Sequence, residues 1–412
     1  MAITSSFANL ATVTRASKKT DAGGWDFTNG GTVGTLTEYA SGVAANHATA
    51  GLRVETSSSN EITNPRFEGW TVGADAGSRE PSGFLCRADS TAGISPGTNV
   101  NAIGSENGWN YIEIEFDNSS GASASWYMRF EPSNTIAAAV DEDWTFSCGF
   151  ELVSGSLSGA VIDLDLLQHA GASFLSSLGG TNFASSIDSA HRRFFKSFTL
   201  TEATADNIVP EIGMTVPAGA VFTIRFYVPQ CENLAFPTSP ILPTVASPAV
   251  STRAADDIVV PNGSWSNDNG AGSVFAEFAF TYDGQASTYP RVLGYGADAS
   301  NRLDVYRDQG GEALYAVLTD GGTEQASITT STAAAATTKR VAVAWDANDV
   351  ALSVSGGTQQ TDTSASVTLG ASALQIGAGA GGSNGADGIY LKDLRYFPRR
   401  SRNADLAALV GT

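Results

Sequence analysis

The stretch Asn110–Asn118, NYIEIEFDN, decides the fold class. Tyr111, Glu113 and Glu115 alternate with Ile112, Ile114 and Phe116, a period of two that sends one set of side chains to a core and the other to water. Trp126, Met128 and Phe130 repeat the pattern in the next apolar run. In VIDLDLL, Ile162, Leu164 and Leu166 alternate with Asp163 and Asp165. A helix would scatter such residues around its axis, so these runs predict half-buried strands.

Working outward, WTFSCGFELVSG, RRFFKSFTLTE, NIVPEIGMTV and VFTIRFYVPQCE add strands between 144 and 232 at the spacing of a sandwich. Beyond them Pro237, Pro240, Pro243 and Pro248 lie close together; proline cannot donate into a sheet interior, so they predict an extended connector. From Ile258 onward SVFAEFAFTY, RVLGYG, RLDVYRD, ALYAVLTDG, KRVAVAWDAND, VALSVSGG, LQIGAG and IYLKDLRYF predict the strands of a second sandwich. In KRVAVAW, Val341, Val343 and Trp345 share one face. The last strand runs into NADLAALV, with Asn403 as N-cap, Leu406 and Leu409 on one helical face, and Gly411 at the exit.

The expected architecture is all-β: two jelly-roll-like β-sandwich domains joined by a Pro-rich linker, with a short C-terminal helix. Residues 1–59 form an attachment or packing segment, 60–236 the first sandwich, 237–258 the connector and 259–412 the second sandwich. A chain of 412 residues agrees with two domains, since single cores stop growing near roughly 250 to 300 residues. Residues 1–59 are too poor in apolar side chains to fold alone and are expected to pack on another domain. A short echo, TRAS at Thr14–Ser17 and TRAA at Thr252–Ala255, each followed by a tryptophan (Trp25, Trp265), hints at which one.

Charged residues make up 16% of the chain and its formal net charge is −19, which disfavours nucleic acid as a partner. No run of 18 apolar residues and no signal-peptide pattern occurs, so neither membrane insertion nor secretion is expected, and synthesis is placed in a bacterial cytoplasm. Cys86, Cys148 and Cys231 are widely spaced in apolar or mixed surroundings and read as buried free thiols.

His47, His169 and His191 stand far apart in no metal or catalytic spacing, and GAGAGG at Gly377–Gly382 precedes no helix. The pairs Glu113/Glu115 and Asp163/Asp165 put two acids on one strand face, as a glycosidase requires, but a solvated face explains them equally well. No catalytic residue is assigned and no cofactor is expected. Asp298, Asn301, Asp346 and Asp349 offer oxygen ligands of the kind calcium takes, and ordinary turns account for the same residues. Sugar recognition needs aromatic faces beside hydrogen-bonding side chains. Trp265, Asn267, Tyr282, Tyr289, Tyr295, Tyr306 and Arg307 supply both in the second sandwich, and Trp70 and Trp109, read as loop residues, supply rings in the first.

The closing strand with its D-L-R-x-F/Y pattern (Asp393, Leu394, Arg395, Phe397) and the helix of N-A-x-L type resemble the last element of concanavalin A-like lectin and laminin-G-like sandwiches. The middle region resembles the carbohydrate-binding-module-like jelly rolls of tailed-phage and gene-transfer-agent fibre or spike proteins. Its opening carries Gly51, Leu52, Glu55, Asn60, Asn64 and Phe67, departing from the usual form at Arg53 and Thr56. Its exit carries Gln230, Glu232, Phe236, Thr238, Ser239, Ile241, Pro243, Thr244, Thr252, Arg253, Ala254, Ala255 and Asp256.

The resemblance implies a non-enzymatic virion fibre or spike subunit, on head or tail, that attaches to a host surface glycan, capsule or lipopolysaccharide, alongside other virion proteins. It also implies a homo-oligomer: a trimer, or a pentamer at a capsid vertex. A purely structural capsid or tail decoration is the alternative, and a polysaccharide depolymerase the third reading.

Overall fold

The computed structural model describes the backbone of residues 12–14, 19–21, 31–32, 37–39 and 45–47, and then residues 51–88, 96–119, 121–132, 136–243, 248–261, 270–281, 289–308, 313–332, 337–369, 373–380 and 388–411. Among the described residues the chain is all-β with one short α-helix, and it divides into two compact units. The first comprises Thr20–Glu38 and Ser58–Arg253; the second comprises Met1–Lys19, Tyr39–Ser57 and Ala254–Thr412.

In the first unit one sheet has the order Gly31–Thr32, Arg192–Thr199, Asp143–Gly155, Val221–Glu232, Trp109–Asp117, Gly97–Glu106, Gly73–Ala74. The other runs Ser173–Ser177, Val161–Ala170, Asn207–Val216, Ala124–Phe130, Phe84–Ala88. Neighbouring strands are antiparallel throughout, for example Ile112↔Phe226 and Leu164↔Ile212. The alternation read from the sequence now has its cause: Ile112, Ile114, Phe116, Trp126, Met128, Phe130, Ile162 and Leu164 enter one shared core. Cys86, Cys148 and Cys231 are buried free thiols whose pKa values burial pushes up.

Pro237 to Pro243, read from its prolines as the start of a connector, is packed into the first unit. A buried segment outside a sheet must satisfy its backbone some other way. Here the exit pattern does so with side chains. Gln230 Oε1 accepts from Ile241 N at 2.7 Å, and Gln230 Nε2 donates to Ser239 O at 3.3 Å. Glu232 accepts from Thr238 N at 3.0 Å, from Ser58 Oγ at 2.7 Å and from the Thr238 hydroxyl. Arg193 donates to Thr238 O at 2.6 Å, Arg253 to Ser239 Oγ at 2.6 Å, and Asn60 Nδ2 to Ile241 O at 3.3 Å. Prolines suit the segment because each removes one N–H that would need a partner. The residues that make the exit pattern recognisable therefore form a latch that fastens an irregular segment.

The second unit stacks two seven-stranded sheets. One has the order Thr12–Thr14, Asp257–Val260, Ala373–Ile376, Arg291–Asp298, Asn301–Arg307, Ala313–Asp320, Thr323–Thr332. The other runs Gln360–Asp362, Val350–Val354, Lys339–Trp345, Gly272–Phe280, Ile389–Phe397, Gly51–Val54, Ala45–His47. Both faces meet in a core of Leu52, Val54, Leu293, Val305, Leu318, Val343, Trp345 and Ile389.

Strands from the first sixty residues are thus integral members of this unit, with Val13 opposite Ile258 and Leu52 opposite Leu391. Arg53, where the opening pattern departs from its usual form, is fully buried. It pairs with Glu55 at 2.8 Å, and its guanidinium lies 5.4 Å from the centre of the Tyr390 ring.

The helix Asn403–Val410 lays Leu406 and Val410 against Phe275 and the small residues Ala342, Ala344 and Ala351, on the side of the Lys339–Trp345 sheet away from the core. Its cap differs from expectation. Arg402 occupies the N-cap without a side-chain capping bond, its guanidinium pairing instead with Asp405 at 2.9 Å, and Asn403 is the first helical residue, its Oδ1 accepting from Arg400. Gly411 closes the helix at φ 78°, the left-handed conformation that glycine adopts without strain.

Candidate functional site

The expected binding residues separate into three groups. Trp265, Asn267 and Tyr282 lie outside the described residues. Four others are buried, which corrects their reading as binding groups, because a buried ring or guanidinium has no surface left for a ligand. Tyr295 packs in the second core, 5.4 Å from the Trp345 ring centre and 5.7 Å from that of Tyr396. Arg307 is fully buried with its guanidinium 4.3 Å from the centre of the Phe280 ring. Trp70 packs edge-on against Phe84 at 5.3 Å. Trp109 is not in a loop but begins the Trp109–Asp117 strand, buried with Tyr227 and Val228.

Tyr289 and Tyr306 form the third group, and the fold brings them together. In Asn301–Arg307 the side chains of Leu303 and Val305 enter the core, so Arg302, Asp304 and Tyr306 take the opposite face. In Ala313–Asp320, Leu314, Ala316 and Leu318 are core, so Tyr315 shares that outer face. Register then makes a row: Arg291 lies opposite Tyr306, Tyr306 opposite Tyr315, and Tyr315 opposite Thr329.

The Tyr306 and Tyr315 rings are stacked, 5.4 Å apart and 6° from parallel, and the Arg291 guanidinium lies 4.4 Å from the Tyr306 ring centre. Tyr289 stands perpendicular to Tyr306, at 85° with ring centres 5.6 Å apart, and the Arg291 guanidinium also lies over the Tyr289 ring, 5.9 Å from its centre. Its side of the row is open: Tyr289 is 42% exposed. Arg291 also donates to Tyr289 O at 3.0 Å and fixes the base of the ring.

Burial raises the Tyr306 pKa, with the nearby Arg291 opposing, so its hydroxyl stays protonated and able to donate. The result is one partly exposed aromatic ring beside a stacked row, with phenol groups near it. The sequence named Tyr289 and Tyr306 but missed Tyr315 and Arg291. Their signal was the strand phase, which puts an aromatic or cationic residue where a solvated sheet face expects a small polar one.

The residues considered for calcium are committed elsewhere. Asp298 Oδ1 accepts from Ser300 N at 2.8 Å and Asn301 N at 3.0 Å, and Asn301 Oδ1 accepts from Gly321 N at 3.0 Å. Asp346 Oδ1 accepts from Ala347 N at 2.7 Å, and Asp349 pairs with Arg400 at 2.6 Å. Among the described residues no group of three or more His, Cys, Asp or Glu converges as metal ligands would.

Three of the four paired acids are also engaged. Glu113 pairs with Arg225 at 2.9 Å, and Arg225 is shared with Glu106 at 2.6 Å and Glu151 at 3.4 Å. Asp163 accepts from the Gly180 and Thr181 amides, and Asp165 from the Ser177 hydroxyl. His191 stacks on Tyr227 at 3.8 Å, and burial with Arg193 nearby lowers its pKa to about 3, so the ring is neutral at physiological pH. An open cleft of about 550 Å³ in the first unit is lined by Leu152, Ser156, Leu157, Asn182, Ser185 and Ile187 among others, with no aromatic or charged side chain. It offers no ring face to a sugar.

No protein-family model matches the chain, and no curated protein matches it. Solved structures do show likenesses. One is a carbohydrate-binding module described as CBM4, at 17% identity over 42% of this chain and 99% of that one, with a TM-score of 0.27. The alginate lyase from Alteromonas sp. 272 matches at 14% identity over 36% and 80%, TM-score 0.27. Domains LG4-5 of the mouse laminin α1 chain match at 9% identity over 64% and 86%, TM-score 0.24. At these values the likenesses assign neither ligand nor reaction.

Proposed function

We propose that this chain binds carbohydrate through the tyrosine row of its second unit and does so without turnover. The observation that carries the reading is the partly exposed Tyr289 ring, set perpendicular to Tyr306 beside a row built from Arg291, Tyr306 and Tyr315. A sugar presents C–H groups on one face and hydroxyls around its rim, so it matches an aromatic face flanked by phenol groups. The engagement of Glu113, Asp163 and Asp165 with amides, hydroxyls and a guanidinium supports binding rather than hydrolysis. One such site is shallow and individually weak, and it gains strength when many copies act together.

The finer reading follows from the Gln230–Asp256 exit pattern: a fibre or spike subunit of a tailed-phage-like virion, attaching to a host surface polysaccharide. The test is a binding isotherm of the full chain with host capsule and with lipopolysaccharide, run beside Tyr289→Ala. Loss of one aromatic face, at about 0.5 to 1.5 kcal/mol, predicts binding weaker by about 2- to 13-fold. Equal binding by the variant would move the site elsewhere. Absence of binding by the parent chain would favour a structural decoration, and release of reducing ends would favour a depolymerase.

A further inference from the structure

In the first unit the strand phase that sends Ile162, Leu164 and Leu166 into the core turns His169 to the outer face of its sheet, and with Ile208 in the core Asn207 takes that face too. Register makes a row across three strands: Asn207 lies opposite His169, and His169 opposite Phe174. Asn207 is 4% exposed, and its Nδ2 donates to Gly171 O at 3.1 Å and to Asp206 Oδ1, which turns the amide toward the bend after Ala170. Its Oδ1 has no hydrogen-bond partner among the described residues, and neither has either ring nitrogen of His169, all three atoms being buried. Buried polar atoms are seldom left unpaired, so three in one row mark a place that takes hydrogen bonds from outside the chain. Their chemistry limits what can supply them. Burial, with Arg129 nearby, lowers the His169 pKa below its ordinary value, so at neutral pH one ring nitrogen donates and the other accepts, while Asn207 Oδ1 only accepts. The neighbouring charges are engaged: Asp206 accepts from Gly171 N at 2.8 Å and from Asn207, and Arg129 pairs with Glu211 at 2.5 Å. Phe174 stands against His169, ring centres 5.8 Å apart at 75°, with 58% of its surface exposed, so it loses little contact on turning.

We propose that Asn207, His169 and Phe174 form a second saccharide subsite, in the first unit, for an uncharged sugar residue. Phe174 turns from His169 onto the C–H face of the sugar, one hydroxyl donates to Asn207 Oδ1, and another exchanges hydrogen bonds with the His169 ring. A purely apolar ligand would leave the three polar atoms unpaired, and an ion would find no uncommitted countercharge in the row. The subsite shares with the proposed function only its class of ligand and uses none of the tyrosine row.

The chain has three histidines, His47, His169 and His191, so the ring signals of the full chain, labelled at histidine with nitrogen-15, can be assigned by NMR with His169→Gln. Oligosaccharides cut from host capsule and from lipopolysaccharide are titrated in. The expected result is a saturable movement of the His169 signals while those of His191, stacked on Tyr227, stay in place and report an intact first unit. Phe174→Ala, at an exposed position, should weaken the dissociation constant read at His169 by about 2- to 13-fold, and Phe174→Tyr, which keeps a ring, should leave it near that of the parent chain. The His169 response should persist in Tyr289→Ala. Still His169 signals while binding depends on Tyr289 would overturn this subsite alone, and a His169 response with binding indifferent to Tyr289→Ala would overturn the tyrosine row alone. A response lost with Tyr289→Ala, or one indifferent to Phe174→Ala, would also overturn the subsite.

Discussion

Replacing Glu232 with alanine tests the latch that holds Phe236–Pro243 in the first unit. The carboxylate is fully buried and accepts from Ser58 Oγ, Thr238 N and the Thr238 hydroxyl. Alanine leaves three donors inside the protein without that acceptor, each costing about 1 to 3 kcal/mol if nothing replaces it. Some of the donors will find water once the side chain is gone, so the expected loss is about 3 to 5 kcal/mol.

Denaturation of a two-unit chain is not a single transition. The reading is therefore taken locally, as amide exchange at Thr238 and Ile241 in the full chain under native conditions. Protection at these amides should fall by about a hundred- to several-thousand-fold, while the Leu314–Leu318 amides of the second unit keep theirs. Glu232→Gln, which retains one carbonyl acceptor, should fall between alanine and the parent. A loss below about 1 kcal/mol would refute the reasoning, because the segment would then be held by its apolar contacts rather than by the exit residues.

Other consequences can be checked separately. Tyr295→Ala removes a ring packed against Trp345 and Tyr396 and should cost about 3 to 5 kcal/mol, while the folded fraction keeps its glycan affinity; a loss of affinity per folded molecule would return Tyr295 to the site. Burial raises the carboxyl pKa values of Asp163 and Glu211, so their contribution to stability is fully present below the ordinary carboxylate range and lost as pH rises through the raised values. The melting temperature of the first unit should therefore rise as pH is lowered from neutral toward the ordinary carboxylate range at fixed salt, and a fall over that range would contradict the assignment. Asp188 behaves oppositely: Arg192 lowers its pKa to about 2, so its contribution is present at neutral pH and disappears as pH falls from the ordinary value toward that figure. Gly149→Ala would set a Cβ 2.4 Å from His191 Nε2 and 2.8 Å from Tyr227 Cβ, and overpacking of this kind should cost about 1 to 3 kcal/mol by thermal melting.

Strand identity was legible locally because alternation is a property of neighbouring residues. Ile112, Ile114 and Phe116 had to share a face whatever lay opposite them, and the same argument placed Val341, Val343 and Trp345 together. The exit pattern was legible as a pattern but not as a latch. Gln230 bonds residues eleven and nine positions ahead, and Asn60 reaches Ile241 across 181 positions, a pairing that no local rule contains. Asn403 shows the limit at small scale: its side chain had capping chemistry, yet the competing guanidinium of Arg400 claimed it.

For the binding surface, the sequence alone determined only that many aromatics stand near polar residues at strand ends. Which of them reach water depends on strand phase and on what packs behind each strand. Tyr295 and Tyr306 both lie in short strands of the same sheet, yet one points into the core beside Trp345 and the other onto the outer face beside Tyr315. A one-residue change of phase would exchange them, because successive side chains point to opposite faces. Composition and periodicity thus determined two sandwiches, while register across three strands decided that Arg291, Tyr306 and Tyr315 form a row and that Tyr289 lies over it. Register is a relation between distant segments, fixed by burial of both sheets at once, and it exists only when the chain has folded.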